Sequence, residues 1–354
     1  WIRGNPLDYQ RWAREPGLEE WDFAHCLPYF RRLERRLTGG NSYHGDSGPQ
    51  VLTTPDCDNP LFDAFFGAVQ EAGYPRVDDV NGYQQEGFSS FDRTTYKGRR
   101  WSAARGYYHP VKHRPNLTLI CGAQATRIRF EGTRAVGVEY RRGKQSMLAL
   151  GGEIICCGGA INSPTLLQHS GVGSGERLSA LGIDMVQDLP GVGENLQDHL
   201  EVYVQHACVK PVSLYPALTW WRQPWIGIQW LFGGSGIAAT NHFEAGGFIR
   251  SNESVELPNV QFHFLPIAVR YDGSAPNAGH GYQVHVGPTL SDAQGWVRIR
   301  SSDPAQYPSI RFNYLSTEQD RKEWLEAIRC TRRILGQPAF ASLRGAELAP
   351  GDAV

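Results

Sequence analysis

No run of about 20 apolar residues occurs in this chain, which leaves it without a segment able to cross a membrane as a helix. There is no charge excess either. Thirty-five Lys and Arg stand against 36 Asp and Glu, so the electrostatic footprint of a nucleic-acid binder is missing, and no acidic tail is present. The seven cysteines are odd in number and show no Cys-x-x-Cys spacing. That argues against a disulfide framework or a zinc site, fits a reducing compartment, and gives no reason to expect a metal. No internal repeat or low-complexity tract stands out. What remains is a globular composition, 41% hydrophobic and 20% charged, in a chain of 354 residues, enough for two ordinary domains. The first residue is not methionine, and Trp1-Ile2-Arg3-Gly4 reads as a strand or turn. The chain is therefore expected to be an internal piece of a longer protein.

Local patterns divide the chain. Residues 5–36 read as two helices with many aromatic positions. At 60–72, Asn59 can cap, Pro60 sits first, and Leu61, Phe62, Phe65, Phe66 and Val69 recur at helical spacing before Gly73 ends the run. A helix is expected to start within 99–109. Strands are expected at 117–121, 124–130, 135–140 and 153–157, the middle two forming a hairpin across Glu131-Gly132-Thr133-Arg134. Cys156 and Cys157 then lie on a buried strand with side chains on opposite faces. Beyond about residue 200, period-two alternation at 202–206, 260–264, 282–286 and 297–300 predicts an antiparallel sheet with one covered face. A helix at about 318–336 carries Trp324, Ile328, Thr331 and Leu335 on one side. The change of character places a domain boundary near 199, giving domains 1–199 and 200–354.

The most informative stretch is Gly158-Gly159-Ala160-Ile161-Asn162-Ser163-Pro164-Thr165-Leu166-Leu167-Gln168-His169-Ser170-Gly171-Val172-Gly173. Paired glycines let backbone approach a flat or anionic group closely. A glycine-rich turn opening a helix is a site for phosphate or a cofactor edge; it is equally an ordinary strand-to-helix connection. The wording of the stretch resembles a signature of the glucose–methanol–choline (GMC) family of flavin oxidoreductases. Leu189-Pro190-Gly191-Val192-Gly193-Glu194-Asn195-Leu196-Gln197-Asp198-His199 resembles a second block of that family, in the same order and close spacing. Asn81-Gly82-Tyr83-Gln84-Gln85-Glu86-Gly87-Phe88, Pro211-Val212-Ser213-Leu214-Tyr215-Pro216-Ala217-Leu218 and Asn241-His242-Phe243-Glu244-Ala245-Gly246-Gly247-Phe248-Ile249-Arg250 resemble its choline-oxidising branch. The likeness runs from Trp1 to about Gly351.

The resemblance implies an α/β plus α+β fold. It would comprise a partial FAD-binding, Rossmann-like domain (1–199) and an antiparallel-sheet substrate domain (200–354), truncated at both ends. It implies FAD as cofactor, with contacts from Ala125, Gly158, Gly159, Ala160, Ser163 and Asn195. Ala125 stands where the family usually has valine. It implies that Glu244 faces the trimethylammonium group of choline, which offers no N–H and so asks for negative charge and aromatic faces. On the residues alone, Glu244 would read as a surface charge. Phe264 and Tyr271 are the aromatic candidates for the cage. His242, two residues from Glu244, would share its side of a strand and reads as a structural histidine. Asp198 and His199 are expected to pack and hydrogen-bond near the cofactor, and Arg100 and Ser102 to order a loop.

Two family features are missing. No Gly-x-Gly-x-x-Gly follows a first strand near Trp1, and the catalytic histidine is expected beyond Val354, so no catalytic residue is assigned within the chain. The activity implied is oxidation of choline to betaine aldehyde, and onward to betaine, with electrons passing to a respiratory acceptor. Alternatives are another GMC alcohol dehydrogenase or oxidase, or a non-catalytic interaction fragment. The segment 220–232, with four tryptophans and Arg222, reads either as a lipid-interface anchor or as a helix beside the active-site entrance. Pro224 and Gly227 favour the second. Peripheral membrane association is implied by the family alone, on the cytoplasmic side of the inner membrane. A free cytoplasmic protein, or a mitochondrial one in a eukaryote, is the other placement.

Overall fold

The computed structural model describes residues 1–271 and 279–351. They form two compact units, each discontinuous in sequence: Trp1–Arg114 with Leu200–Thr289 and Lys322–Val354, and Pro115–His199 with Leu290–Arg321.

The first unit is built on a six-stranded sheet. Its spatial order is Arg344–Ala349, Val202–Cys208, Gly281–Pro288, Val260–Leu265, Ala245–Ile249 and Gly87–Ser90, every neighbour antiparallel. Register places Val204, Val284, Phe264 and Ala245 in one row across four strands. These side chains meet the helices Pro60–Glu71 and Glu318–Leu335 in one core. The first helix forms as its sequence dictates. Asn59 accepts from the Leu61 N–H at 3.0 Å, Pro60 occupies the first turn, and Leu61, Phe62, Phe65, Phe66 and Val69 are all buried. Phe65 stacks on Phe264 with ring centres 4.5 Å apart. Each large apolar side chain withdrawn from water in this way stabilises the fold by about 1.5–3 kcal/mol.

The alternation at 260–264 and 282–286 suggested one solvated face, yet Gly281–Pro288 is buried at all eight residues. The face opposite the apolar row carries Tyr203, His285 and His263 with Gln205 and Gln283, and a chain of hydrogen bonds links several of these polar groups. Gln205 Nε2 donates to Gln283 Oε1 at 2.6 Å, Gln283 pairs with His285 Nε2 at 2.6 Å, and His285 Nδ1 meets Glu201 Oε1 at 2.8 Å. Period two was therefore present without an exposed face, because paired polar groups can be buried at modest cost.

In the second unit, Ala123–Glu131, Arg134–Arg142 and Gln145–Leu150 form an antiparallel sheet whose first turn is made by Gly132 at φ +60°. The helix Gly159–His169 follows, and Glu194–Leu196, Gly295–Arg298 and Ser309–Arg311 make a second small sheet. The strands expected at 117–121 and 153–157 do not form. Cys156 and Cys157 are exposed rather than buried. No described strand pairs with either segment, and an apolar run without a neighbouring ladder has no reason to stay extended. The helix start expected at 99–109 is a short strand, Arg99–Arg100, followed by a five-residue π-helical turn, Ala104–Tyr108.

A buried charge network ties the amino-terminal residues down. His44 Nδ1 lies 2.8 Å from Glu34 Oε2 and its Nε2 lies 2.7 Å from Asp79 Oδ2. Arg3 pairs with Glu34 at 2.5 Å, and Arg36 with Asp92 at 2.7 Å. Burial pulls the His44 pKa down, but hydrogen bonds to Asp79 and Glu34 and their charges outweigh it, so the value ends above 6.5. Burial pushes Glu34 up, and bonds from His44 and Arg3 reverse that to a net lowering. Asp79 is lowered for the same reason, with His44 again the main partner acting against burial. The carboxylates' contribution is present above their ordinary range and lost as pH falls. The imidazolium's is present below its ordinary value and lost as pH rises through the raised one. The network is thus at full strength in mildly acidic solution. Denaturant unfolding at rising pH should show stability falling through the His44 titration. His44→Gln should remove that slope and cost about 3–5 kcal/mol at pH 6 by leaving buried carboxylates short of a partner.

Candidate functional site

Glu244 stands immediately before the strand Ala245–Ile249, and two glycines set how closely that strand is approached. A Cβ on Gly246 would lie 2.1 Å from the Phe262 carbonyl oxygen and 2.5 Å from the Phe91 ring; one on Gly247 would lie 2.5 Å from the Gly87 oxygen. The Glu244 carbonyl accepts from the Phe91 N–H at 2.8 Å. Its side chain reaches the wall of a cavity of about 660 Å³, shared with Asp56, Cys57, Asp58, Phe62, Arg93, Thr240 and His242.

The carboxylate is partnered. Arg93 Nη1 and the Thr240 hydroxyl both donate to Glu244 Oε1, and Arg93 Nη1 also donates to Thr240 Oγ1 at 2.6 Å. The described contacts of the carboxylate all fall on that one oxygen. On its residues alone Glu244 would read as a surface charge; the side chain is instead half-buried and ion-paired with Arg93. Among the described residues six non-glycine ones have positive φ, and three of them, Cys57 (+55°), Lys97 (+50°) and His242 (+64°), line this cavity. Left-handed backbone at non-glycine residues costs energy and gathers where geometry serves function. It also corrects the expectation for His242: the strand begins only at Ala245, so His242 and Glu244 do not share a strand face. Burial, helped by the Arg93 charge, lowers the His242 pKa against the pull of Glu244, leaving a neutral imidazole at physiological pH. Burial and the neighbouring Glu244 charge push the Cys57 thiol up to about 12.

The aromatic candidates are not here. Phe264 is fully buried in the core against Phe65 and Phe62. Tyr271 is exposed, touching Tyr203 and donating to the Glu201 carbonyl. Phe62 is the one phenyl ring in the cavity wall among the described residues. Arg93, Thr240, Asp56 and Asp58 escaped sequence reasoning. No spacing rule links an arginine to a glutamate 151 positions away, and none of the four sits in a recognisable pattern.

A second cavity, of about 760 Å³, lies within the other unit. Ala125, Gly158 and Ser163 line it together, with Ile154, Cys156, Cys157, His169 and 304–308. The Gly158 N–H donates to Ser163 Oγ at 2.9 Å, tying the glycine turn to the first turn of the helix. Gly159 adopts φ +76° with nothing within 4 Å of a Cβ built on it, and it and Ala160 open the helix in exposed positions outside the cavity wall. Asn195, exposed at φ +58°, lies on the short strand Glu194–Leu196, away from that lining. Asp198 accepts from the Tyr314 hydroxyl at 2.5 Å. Arg100 and Ser102 line a separate small cavity with Arg99, Arg105 and Trp230.

Residues 1–201 match the family model for the amino-terminal part of GMC oxidoreductases, and residues 291–354 the model for the carboxy-terminal part. Curated relatives include the oxygen-dependent choline dehydrogenases of Escherichia coli and Serratia proteamaculans, each 55% identical. These alignments cover 99% and 100% of this chain but only 64% and 65% of the relatives. Among solved structures, pyridoxine 4-oxidase from Mesorbium loti superposes with a TM-score of 0.86 at 29% identity, over 99% of this chain and 66% of that one. A formate oxidase superposes with a TM-score of 0.91 at 20% identity, over 99% and 67%, a likeness of fold.

The electrostatics of the first cavity are open to a chemical test. At pH 8, iodoacetamide should modify the exposed Cys121, Cys156 and Cys157 at least about tenfold faster than Cys57, whose thiolate fraction is suppressed. Peptide mass spectrometry over a time course reads the order directly.

Proposed function

Because the chain belongs to the GMC oxidoreductase family, we propose that it serves the FAD-dependent oxidation of choline to betaine aldehyde, and through the aldehyde hydrate to betaine. The observation that carries the substrate is a carboxylate, Glu244, held at the wall of a half-enclosed cavity with its contacts on one oxygen only. Relatives named for choline support it.

Flavin, when bound, supplies the hydride acceptor. The residues proposed to hold it are Ala125, Gly158, Gly159, Ala160, Ser163 and Asn195. The cavity lined by Ala125, Gly158 and Ser163 fits that role, since it borders a helix amino terminus and a glycine turn free of side-chain bulk. In this division of labour the unit holding Glu244 serves the substrate and the unit holding the Gly158 turn serves the cofactor, so Phe62 and Arg93 fall on the substrate side and 304–308 on the cofactor side of a division the sequence placed near 199. Glu244 binds the onium and so orients the alcohol arm. Phe62, Leu214, Ile237 and Pro266 give the cavity apolar wall, which limits water around the bound cation. None of the chain's histidines is assigned the hydroxyl proton.

We further propose a respiratory acceptor and a peripheral place on an anionic membrane. No helix among the described residues is long and apolar enough to cross a membrane. The helix Gln223–Gly233, however, exposes Trp225, Leu231 and Phe232, preceded by exposed Trp220 and Trp221. Pro224 lies in its first turn, where proline is tolerated, so it does not spoil the helix. Arg99 stacks on Trp230, and Arg100, Arg105 and Arg222 lie nearby in sequence or space. Basic and tryptophan-rich surface together suits a lipid interface.

In the complete protein, Glu244→Gln should raise the choline KM by tenfold or more, about 1.4 kcal/mol per decade, while 3,3-dimethylbutan-1-ol, the neutral isostere, is hardly affected. Equal effects on both substrates would discard the cation site. Trp220→Gln with Trp225→Gln should reduce flotation with phosphatidylglycerol vesicles and leave choline turnover in solution unchanged; flotation at the wild-type level would discard this surface.

A further inference from the structure

We propose that Arg93, together with Thr240, is a positioning residue for onium recognition: both donate to Oε1 of Glu244, which fixes the carboxylate and leaves Oε2 as the face presented to a quaternary ammonium ligand. This rests on the choline reading above and assigns its specificity to a residue from a distant part of the chain.

Three observations carry it. The first is the asymmetry of the contacts. Arg93 and Thr240 converge on one oxygen and on each other, a closed triangle that sets the rotamer of the glutamate. The second is that Arg93 is held for its end group alone. Its Nε is buried without a partner, an unfavourable state that an apolar side chain at the same position would not incur. The third is rigidity at both ends of the triangle. The Arg93 N–H and carbonyl pair with Thr53, at 2.9 and 3.0 Å. Thr240 Oγ1 additionally accepts from the His242 N–H at 3.2 Å, within the segment that turns left-handed at His242.

The chemistry of the ligand makes this arrangement workable. A quaternary ammonium makes no N–H hydrogen bond, so it does not compete for the oxygen already taken. It responds to negative potential, which a carboxylate held still presents in a constant direction.

The test compares Arg93→Gln, Arg93→Lys and Thr240→Val in the complete protein, each with choline and with 3,3-dimethylbutan-1-ol, and records the thermal midpoint. Arg93→Gln should raise the choline KM about tenfold, with kcat and the isostere's KM within about twofold, and should lower the midpoint, since it takes away the carboxylate's charged partner. Arg93→Lys, which keeps the charge and a donor, should return the choline KM to within about threefold of wild type. Thr240→Val should give an intermediate rise for choline alone. A fall in choline KM on Arg93→Gln would make the arginine a competitor of the substrate and overturn the proposal. Parallel changes for choline and the neutral isostere would make it a scaffold residue and overturn it equally. If Glu244→Gln matters for choline while Arg93→Gln does not, only this inference fails; if Glu244→Gln itself is silent, the choline reading fails with it.

Discussion

A carboxylate paired with a guanidinium in a cavity wall is the constraint to which the rest of the first unit answers. Withdrawing such a group from water costs several kcal/mol unless donors replace the lost solvent. Arg93 and Thr240 do so, and the replacement introduces a positive charge beside the carboxylate proposed to attract a cation. Coulomb's law decides which effect wins. At an effective dielectric near 20, a cation about 4 Å from the carboxylate gains about 4 kcal/mol, and the same cation about 7 Å from the guanidinium loses about 2.4 kcal/mol. On the proposed reading the balance stays attractive, because a ligand at Oε2 has the guanidinium behind the other oxygen. Asp56 and Asp58 add negative potential in the same wall, and Lys97 subtracts from it.

Backbone supplies the precision that this balance needs. Displacing the carboxylate by an ångström or so would alter both distances at once. The strand that follows Glu244 is pressed between two neighbours, and Gly246 and Gly247 are what allow that separation. Left-handed turns at Cys57, Lys97 and His242 bring three connecting segments to the same cavity. The apolar row Val204, Val284, Phe264 and Ala245, packed on two helices, holds the sheet from the opposite side.

What the sequence showed, and what it did not, follows from the range of the interactions. The helix Pro60–Glu71 was legible because cap, proline and apolar stripe are local signals. The hairpin across 131–134 and three strands of the large sheet, Val202–Cys208, Val260–Leu265 and Gly281–Pro288, were legible as period-two runs flanked by turns, whereas Gly87–Ser90, Ala245–Ile249 and Arg344–Ala349 were not. The run 153–157 misled for the same reason in reverse: it carries strand composition, but extension needs a partner strand, and composition cannot say whether one is there. Burial of Gly281–Pro288 on both faces was hidden because Gln205, Gln283 and His285 look like solvent-facing residues until their pairing is known. At the site, Glu244 stood out through its motif, whereas its partner Arg93 is tied to it across 151 residues by tertiary structure alone. Phe264 was misassigned because an aromatic in a strand can face either side, and register put this one in the core.

The pairing of Glu244 also bears on which cations the cavity can hold. A primary ammonium is strongly hydrated and carries three N–H donors, each needing an acceptor once water is removed. With Oε1 saturated by two donors, Glu244 has one oxygen left for such a ligand, and the remaining N–H groups would go unmatched at that end of the cavity. A quaternary ammonium has no donor to satisfy. Its methyl groups can rest against Phe62 and the apolar wall while its charge is met at contact distance by the free oxygen. If Glu244 binds a cation as proposed, the ion pair that at first sight weakens the site becomes a source of discrimination. It withdraws the hydrogen-bonding capacity that an amine requires and leaves the electrostatic attraction that an onium uses.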